Sequence, residues 1–270
     1  MCSSFENSKR YVYQTLDRDG ANWNDKFLDH FKTPAPTKNM VEFKFANLRE
    51  WSDCNNQLNN WVNLNALVAV ASNLETYIAT IVRLAIESDV GVLYGTPQRV
   101  DGIELVKRNH PRAFQYDEIV KSITMGTWES RINAYERLFD FVPDYLRTNC
   151  SKLDRLRVIR NRVAHAFGRE IEASRTSDLK TQPVAKLSQS RMLEYQNLAW
   201  NTAREIDKHL EKHIGEYQSL LFYHDMRAKV DHMKENNDRA FHLRKALGRL
   251  GELPPGKEFC QKLVEYYEAI

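Results

Sequence analysis

The chain has 270 residues, 42% of them hydrophobic and 28% charged, and a formal net charge of +3. This length suffices for one hydrophobic core with further elements attached. The four cysteines form no C-x-x-C pair, which argues against a zinc knuckle, a redox motif or a disulfide-stapled secreted domain. The most apolar stretch contains Asn73, Glu75 and Arg83, and no signal peptide pattern precedes it. We therefore expect a cytoplasmic protein without a membrane span.

Residues 1–60 combine aromatic residues, a proline-bearing connector and one short alternating segment. A proline-bearing connector at 33–36 follows an aromatic set that can anchor this region to a core: Trp23, Phe27 and Phe31. The alternation of Val41, Phe43 and Phe45 could form a short strand. We predict an irregular cap over residues 1–60.

Glycine and proline are scarce, which favours long helices and an all-α fold. The first long helix is expected over 61–88, and the glycines and proline within 91–97 end it. Its apolar positions follow helical spacing: Leu64, Leu67, Val68, Ala71, Leu74, Ile78, Ile81 and Ala85. A second helix is expected to begin at the N-cap Thr127 and to end before Pro143.

A third helix is predicted from Ser151, where Ser151 and Asp154 resemble a capping box, to a glycine cap at Gly168. A polar loop at 169–188 follows, and loops of this length are usually functional or disordered. The fourth helix is expected over 190–213, with five residues in register: Leu193, Leu198, Thr202, Ile206 and Leu210.

Residues 216–270 are predicted to form one long helix and a short one, 257–269, separated by the Gly- and Pro-containing segment 251–256. The helical pattern thus divides the chain into three parts. We expect an N-terminal extension at 1–60, a helical bundle at 61–215 and a C-terminal helical extension at 216–270.

Positive charge is concentrated in two segments. Between 152 and 169 six basic residues face Asp154 alone, so this segment carries +5, more than the whole chain. Between 227 and 249 seven basic residues face three acidic ones, giving +4. Such segments suit a polyanionic partner, although the second is equally consistent with a solvated helix face.

The third predicted helix separates an apolar stripe from polar positions. At about 100° per residue, one arc collects Leu153, Leu156, Ile159, Val163, Ala166 and Phe167. Arg160 falls inside this arc, so its guanidinium needs an anion or a place at the rim of the core. Arg157, Asn161 and His165 form a separate ridge at i, i+4 and i+8.

Arg160 and His165 are five residues apart, hence about 140° apart around the axis and about 7.5 Å along it. One helix does not easily direct both side chains at a single phosphate. Two copies of the helix packed across a two-fold axis could bring each Arg160 and His165 together with its symmetry mate.

The segment 156–165, LRVIRNRVAH, resembles the signature helix of the HEPN superfamily. Ribonucleases of that family carry an arginine, four to six residues and a histidine, often with a polar residue directly after the arginine. Arg160, Asn161 and His165 match this pattern. The helix order over about 61–215 is similar to the family's up-and-down four-helix bundle, and both ends of the chain stay outside the resemblance.

The resemblance implies a metal-independent endoribonuclease that needs no cofactor and acts as a homodimer with a composite site. Arg160 would hold the scissile phosphate. His165 would accept the proton of the ribose 2′-hydroxyl or protonate the leaving 5′-oxygen. Asn161 would orient His165 or bind phosphate. Further basic residues would follow the RNA backbone: Arg157, Arg162 and Arg169.

A compact nuclease of this family would be a microbial toxin or an antiviral effector, with RNA as substrate and an inhibitory antitoxin or defence-system protein as a further partner. The products would be a 2′,3′-cyclic phosphate and a 5′-hydroxyl. The alternative is a non-catalytic helical module that binds RNA or protein. The intact set of Arg160, Asn161 and His165 favours the enzyme, since a scaffold does not need all three.

Individual residues also have structural interpretations. Arg160 could pair with Glu75 or another carboxylate, and His165 could be an ordinary histidine near a helix C-terminus. His209 and His213 have the i, i+4 spacing of metal ligands, but without an apparent third ligand we expect an exposed helix face. The tryptophans are expected to anchor the core or an interface: Trp51, Trp61, Trp128 and Trp200.

Overall fold

The computed structural model describes residues 2–32, 45–110, 116–166, 185–250 and 254–270. Within these ranges the chain is helical and contains no β-strand, only the isolated bridges Lys26–Asn47 and Asp89–Asp101. The predicted all-α class is therefore confirmed.

The α-helices are, in chain order, α1 Cys2–Arg18, α2 Phe27–His30, α3 Leu48–Ser88, α4 Gly102–Lys107, α5 Asp117–Thr124, α6 Trp128–Phe139, α7 Asp144–Thr148, α8 Cys150–Ala166, α9 Gln189–Ile214, α10 Tyr217–Val230, α11 Asn236–Leu247 and α12 Lys257–Ala269. A 3₁₀ turn spans Val90–Tyr94. The four long helices of the predicted bundle correspond to α3, α6, α8 and α9.

Contacts divide the chain into two units. Unit 1 comprises Met1–Ser72 and Arg155–Ala199, and unit 2 comprises Asn73–Asp154 and Trp200–Ile270. The dividing points fall inside α3, α8 and α9. The three-part domain division predicted from the sequence stays a prediction, although its first boundary, 60/61, lies inside α3.

Unit 1 contains an N-terminal helix where we expected an irregular cap. Tyr13 of α1 lies 5.5 Å from the ring of Trp51 on α3, and its hydroxyl is 2.8 Å from the Ser52 hydroxyl. The Phe31 ring also lies 4.8 Å from Trp51. Aromatic residues rather than a repeat of leucines therefore fix α1 and the start of α3, which begins thirteen residues before the predicted Trp61. The possible strand at 41–45 falls mostly outside the described residues.

In unit 2 single hydrogen bonds join α3, α6, α8 and α9 in pairs. They are Arg131 to Glu75 at 3.1 Å, Tyr77 to Asp207 at 3.0 Å, the Trp128 N–H to Asp154 at 3.1 Å, and Tyr135 with His209 at 2.7 Å. Asp154 thus accepts an N–H from the first turn of α6, whereas the sequence suggested that it caps its own helix. The predicted cap of α6 is confirmed, because the Thr127 hydroxyl accepts the Ser130 N–H at 3.3 Å.

The C-terminal part of unit 2 is built from α4, α10, α11 and α12 around a common apolar cluster that includes Ile103, Tyr223, Leu243 and Val264. The prediction of a single long helix after 216 is wrong, because α10 ends at Val230 and a separate helix, α11, begins at Asn236. This break lets α11 turn back and bury Ala240 and Leu243 against α12. No glycine or proline marks it in the sequence.

Leu193, a predicted core position, is 46% exposed instead. Of the tryptophans expected to anchor the core or an interface, Trp128 is buried, whereas Trp61 and Trp200 are 51% and 66% exposed. By length and composition alone α3 is apolar enough to cross a membrane, with a mean hydropathy of 1.3 over its best 18-residue window. Leu67, Ile78 and Val82 of the same helix are core residues. The cytoplasmic location stays a prediction.

Candidate functional site

Helix α8 carries the arginine and histidine motif in unit 1. The helix is continuous from Cys150 to Ala166, and its predicted apolar stripe is confirmed at Leu153, Leu156 and Val163, which are all buried. The Ala166 side chain and Phe167 lie outside the described residues. The buried stripe fixes the rotation of the helix, so the remaining faces of α8 are available for polar side chains.

Arg160 and Asn161 are in direct contact. Both side chains are half-buried, and Nη1 of Arg160 donates a hydrogen bond to Oδ1 of Asn161 at 2.9 Å. The polar residue that follows the arginine therefore positions the guanidinium at the rim of the apolar stripe. Glu75, which we considered as a partner for Arg160, accepts a hydrogen bond from Arg131 within unit 2.

His165 is exposed in the last turn of α8. Because α8 is unbroken, the expected separation from Arg160 applies: about 140° around the axis and about 7.5 Å along it. One copy of α8 does not direct both groups at the same point.

The residues expected to follow an RNA backbone have different exposures. Arg162 is exposed and Arg157 is half-buried on the same helix, while Arg169 lies outside the described residues. Lys152 and Arg155 are exposed as well. Helix α8 thus presents cationic side chains at its surface, with Asp154 as the only acidic residue between 150 and 166.

The sequence matches no protein-family model, and neither a curated protein nor a solved structure matches it significantly. The assignment of α8 therefore depends on its own residues and their placement.

Unit 2 contains a second polar feature that the sequence did not reveal, a buried pair of Asp89 and His213. Nδ1 of His213 lies 2.8 Å from Oδ2 of Asp89, and the Asp89 carboxylate also accepts the Gln98 N–H at 2.8 and 2.9 Å. The expectation that His213 lies on an exposed helix face is wrong, because the residue is 5% exposed. Its partner lies 124 positions away in the chain, so helical spacing alone could not reveal the pair.

His209, the other histidine of the predicted pair, is also held by a polar contact. Its Nδ1 lies 2.7 Å from the Tyr135 hydroxyl, and burial lowers the pKa of His209 to about 4. The two imidazole rings are 6.0 Å apart. His209 thus contacts a side chain of α6, and His213 contacts Asp89, the residue that follows α3. In the described ranges no group of three or more metal-ligating residues is found.

The Asp89–His213 pair lines a cavity of about 490 Å³ in unit 2, a volume typical of small-molecule sites. Phe259, Leu220 and Leu263 supply its apolar wall. Its charged lining is mixed: Asp89, Asp101, Glu216, Lys212 and Lys262. Because both signs are present and the Asp89 and Asp101 carboxylates already accept hydrogen bonds from the protein, this lining selects no single class of ligand.

Proposed function

We propose that the protein is a metal-independent endoribonuclease whose catalytic groups are Arg160 and His165 on α8. The observation that carries the proposal is the placement of an exposed histidine and a half-buried Arg160–Asn161 pair on one unbroken, basic helix. The resemblance of this segment to the HEPN signature helix supports the same function.

The proposed reaction needs only groups that α8 provides. His165 accepts the proton of a ribose 2′-hydroxyl while the 2′-oxygen attacks the adjacent phosphorus and the bond to the 5′-oxygen breaks. The leaving oxygen takes a proton from a second imidazole. Arg160 offsets the charge that develops on the phosphoryl oxygens, since a guanidinium binds them with two parallel N–H bonds. The products carry a 2′,3′-cyclic phosphate and a 5′-hydroxyl.

The angular separation of Arg160 and His165 supports a homodimer. With about 140° between them, a single helix places the phosphate-binding group and the proton-transfer group on different faces. Two α8 helices related by a two-fold axis supply two arginines and two histidines to one cleft. Two histidines would then divide the roles of base and acid.

A second candidate function is a non-catalytic RNA-binding module. The exposed cations Lys152 and Arg155 favour it, because a basic helix surface suffices for phosphate binding without cleavage. In the first function the protein would be a toxin or antiviral effector restrained by a partner protein. In the second it would be a scaffold or regulatory subunit.

Cleavage of single-stranded RNA in EDTA tests the proposal. We expect wild-type protein to cut RNA without added metal, the DNA oligonucleotide of the same sequence to stay intact, and His165→Ala to lose activity. His110→Ala is the matched control, because His110 is also an exposed histidine but lies outside α8. Cleavage that requires magnesium, or equal activity of the His165→Ala and His110→Ala variants, would exclude this mechanism. RNA binding without cleavage would favour the module.

A further inference from the structure

The basic segment 227–249 contains arginines that stabilise the fold. Nε and Nη2 of Arg227 donate to the Glu268 carboxylate at 2.7 and 3.3 Å, and Nη1 of Arg239 lies 3.0 Å from the same group. Nε of Arg244 donates to the Pro255 carbonyl at 2.9 Å. These three arginines join α10 and α11 to α12 and the residues before it.

The other basic residues of α11 face outward. Ala240 and Leu243 are buried against the cluster, which places Phe241 and Lys245 on the opposite side of the helix, about 40° apart. Phe241 is 62% exposed, and Lys245 and His242 are exposed as well. Arg249 is exposed in the turn that continues α11. We call Phe241, His242, Lys245 and Arg249 the α11 face.

An exposed aromatic ring beside cations has a specific chemical use. A phenylalanine ring offers a flat apolar surface on which an unpaired base stacks, while ammonium and guanidinium groups bind the phosphates that flank it. A protein-binding face would instead need several contiguous apolar residues. The outward arc of α11 has one apolar side chain, Phe241, and one acidic residue, Asp238, and the exposed Leu250 follows Arg249 beyond the end of the helix.

We propose that the α11 face binds single-stranded RNA, with a base on the Phe241 ring and phosphates on Lys245 and Arg249. The choice of RNA as the polymer rests on the proposed function, whereas the stacking and charge arguments hold for any single strand. The face deepens that function by adding an RNA-binding surface on α11 in unit 2.

Binding can be measured without cleavage. A fluorescent oligoribonucleotide of about 12 residues, with 2′-O-methyl groups throughout, cannot undergo attack by a 2′-oxygen. Anisotropy titrations in EDTA should show Phe241→Ala weakening its affinity by about 5- to 100-fold. Tyr94→Ala is the matched control, because Tyr94 is 67% exposed but lies outside this face, and it should bind like wild type.

Two further variants separate stacking from other contacts. Phe241→Trp should retain or increase the affinity, whereas Phe241→Leu, which keeps an apolar side chain without a ring, should lose most of it.

Lys245→Ala should lower the salt dependence of binding by about one unit of slope. Asp238→Asn should raise the affinity about two-fold, because it removes the acidic group beside the ring.

Three results would overturn the proposal: no binding of the oligonucleotide by wild type, equal affinity of the Phe241→Leu and Phe241→Trp variants, or a change of oligomeric mass in Phe241→Ala with unchanged binding. The last would identify a protein interface. Equal affinity of the Phe241→Leu and Phe241→Trp variants, or a change of oligomeric mass, leaves cleavage by α8 untouched. The His165→Ala and His110→Ala pair tests cleavage separately, so the two proposals can fail independently.

Discussion

The basic segments around α8 and α11 carry similar charge but have different roles in the structure. In α8 the exposed cations Lys152 and Arg155 lie on a helix with a single acidic residue. In the second segment Arg227 and Arg239 converge on one carboxylate, Glu268, about thirty to forty positions further along the chain. Charge counted along a sequence therefore does not distinguish a cation that can bind a ligand from one that binds the protein itself.

Substituting one arginine from each segment gives the largest expected contrast. Arg160→Ala should lower RNA cleavage by about 100-fold or more, because it removes the group proposed to stabilise the phosphate in the transition state. Arg227→Ala should leave cleavage unchanged and lower the melting temperature. Cleavage rates and thermal unfolding of both variants measure this contrast, and loss of activity in Arg227→Ala with full activity in Arg160→Ala would reverse it.

Removing the shared carboxylate tests the structural half of the comparison. Glu268 accepts hydrogen bonds from Arg227 and from Tyr223, the latter at 2.8 Å, and pairs with Arg239. These interactions hold the pKa of Glu268 below its usual value although burial alone would raise it. Glu268→Ala leaves two arginines without this partner and should cost about 2–3 kcal/mol of unfolding free energy. Urea denaturation measures it, with Glu265→Ala, an exposed residue of α12, as control.

Helices with a regular apolar repeat could be predicted from the sequence, whereas contacts between distant segments could not. Helical periodicity located α6, α8 and α9 because their buried residues repeat at regular spacing. It missed α1, whose contacts are aromatic, and the break between α10 and α11, which depends on packing against α12. The register of Arg160, Asn161 and His165 follows from spacing within one helix. The Asp89–His213 pair and the Glu268 contacts join distant segments, so no local pattern could indicate them.

His165 and His209 differ in exposure in the same way as the two sets of basic residues. His165 is exposed on α8, whereas burial lowers the pKa of His209 to about 4. As the pH decreases, the unfolded chain protonates His209 near pH 6.5, whereas the folded chain does so only near pH 4. The free energy of unfolding therefore falls as the pH decreases from about 6.5 to 4. His209→Gln should reduce the loss of unfolding free energy between pH 7.5 and pH 5 by on the order of 1–2 kcal/mol. Unfolding free energies at pH 7.5 and 5 measure it.

His165→Gln is the matched control for this titration. The exposed side chain of His165 takes no part in the Tyr135–His209 contact, so this variant shows whether removal of any histidine flattens the slope. If only His209→Gln changes the slope of stability against pH, that part of the slope arises from His209 in unit 2. An unchanged slope in His209→Gln would show that other groups carry the acid sensitivity.

The smallest expected effect concerns Asp154, the acidic residue within the α8 charge cluster. Its carboxylate accepts the Trp128 N–H at 3.1 Å, so it satisfies a donor at the start of α6. Asp154→Ala should therefore lower the unfolding free energy by about 1 kcal/mol, as loss of a helix cap does. The same change adds positive charge to α8, so RNA affinity should rise slightly while stability falls. A stabilised variant would contradict the role of Asp154 in α6, and a weakened affinity would contradict the phosphate-binding role of the cations around it.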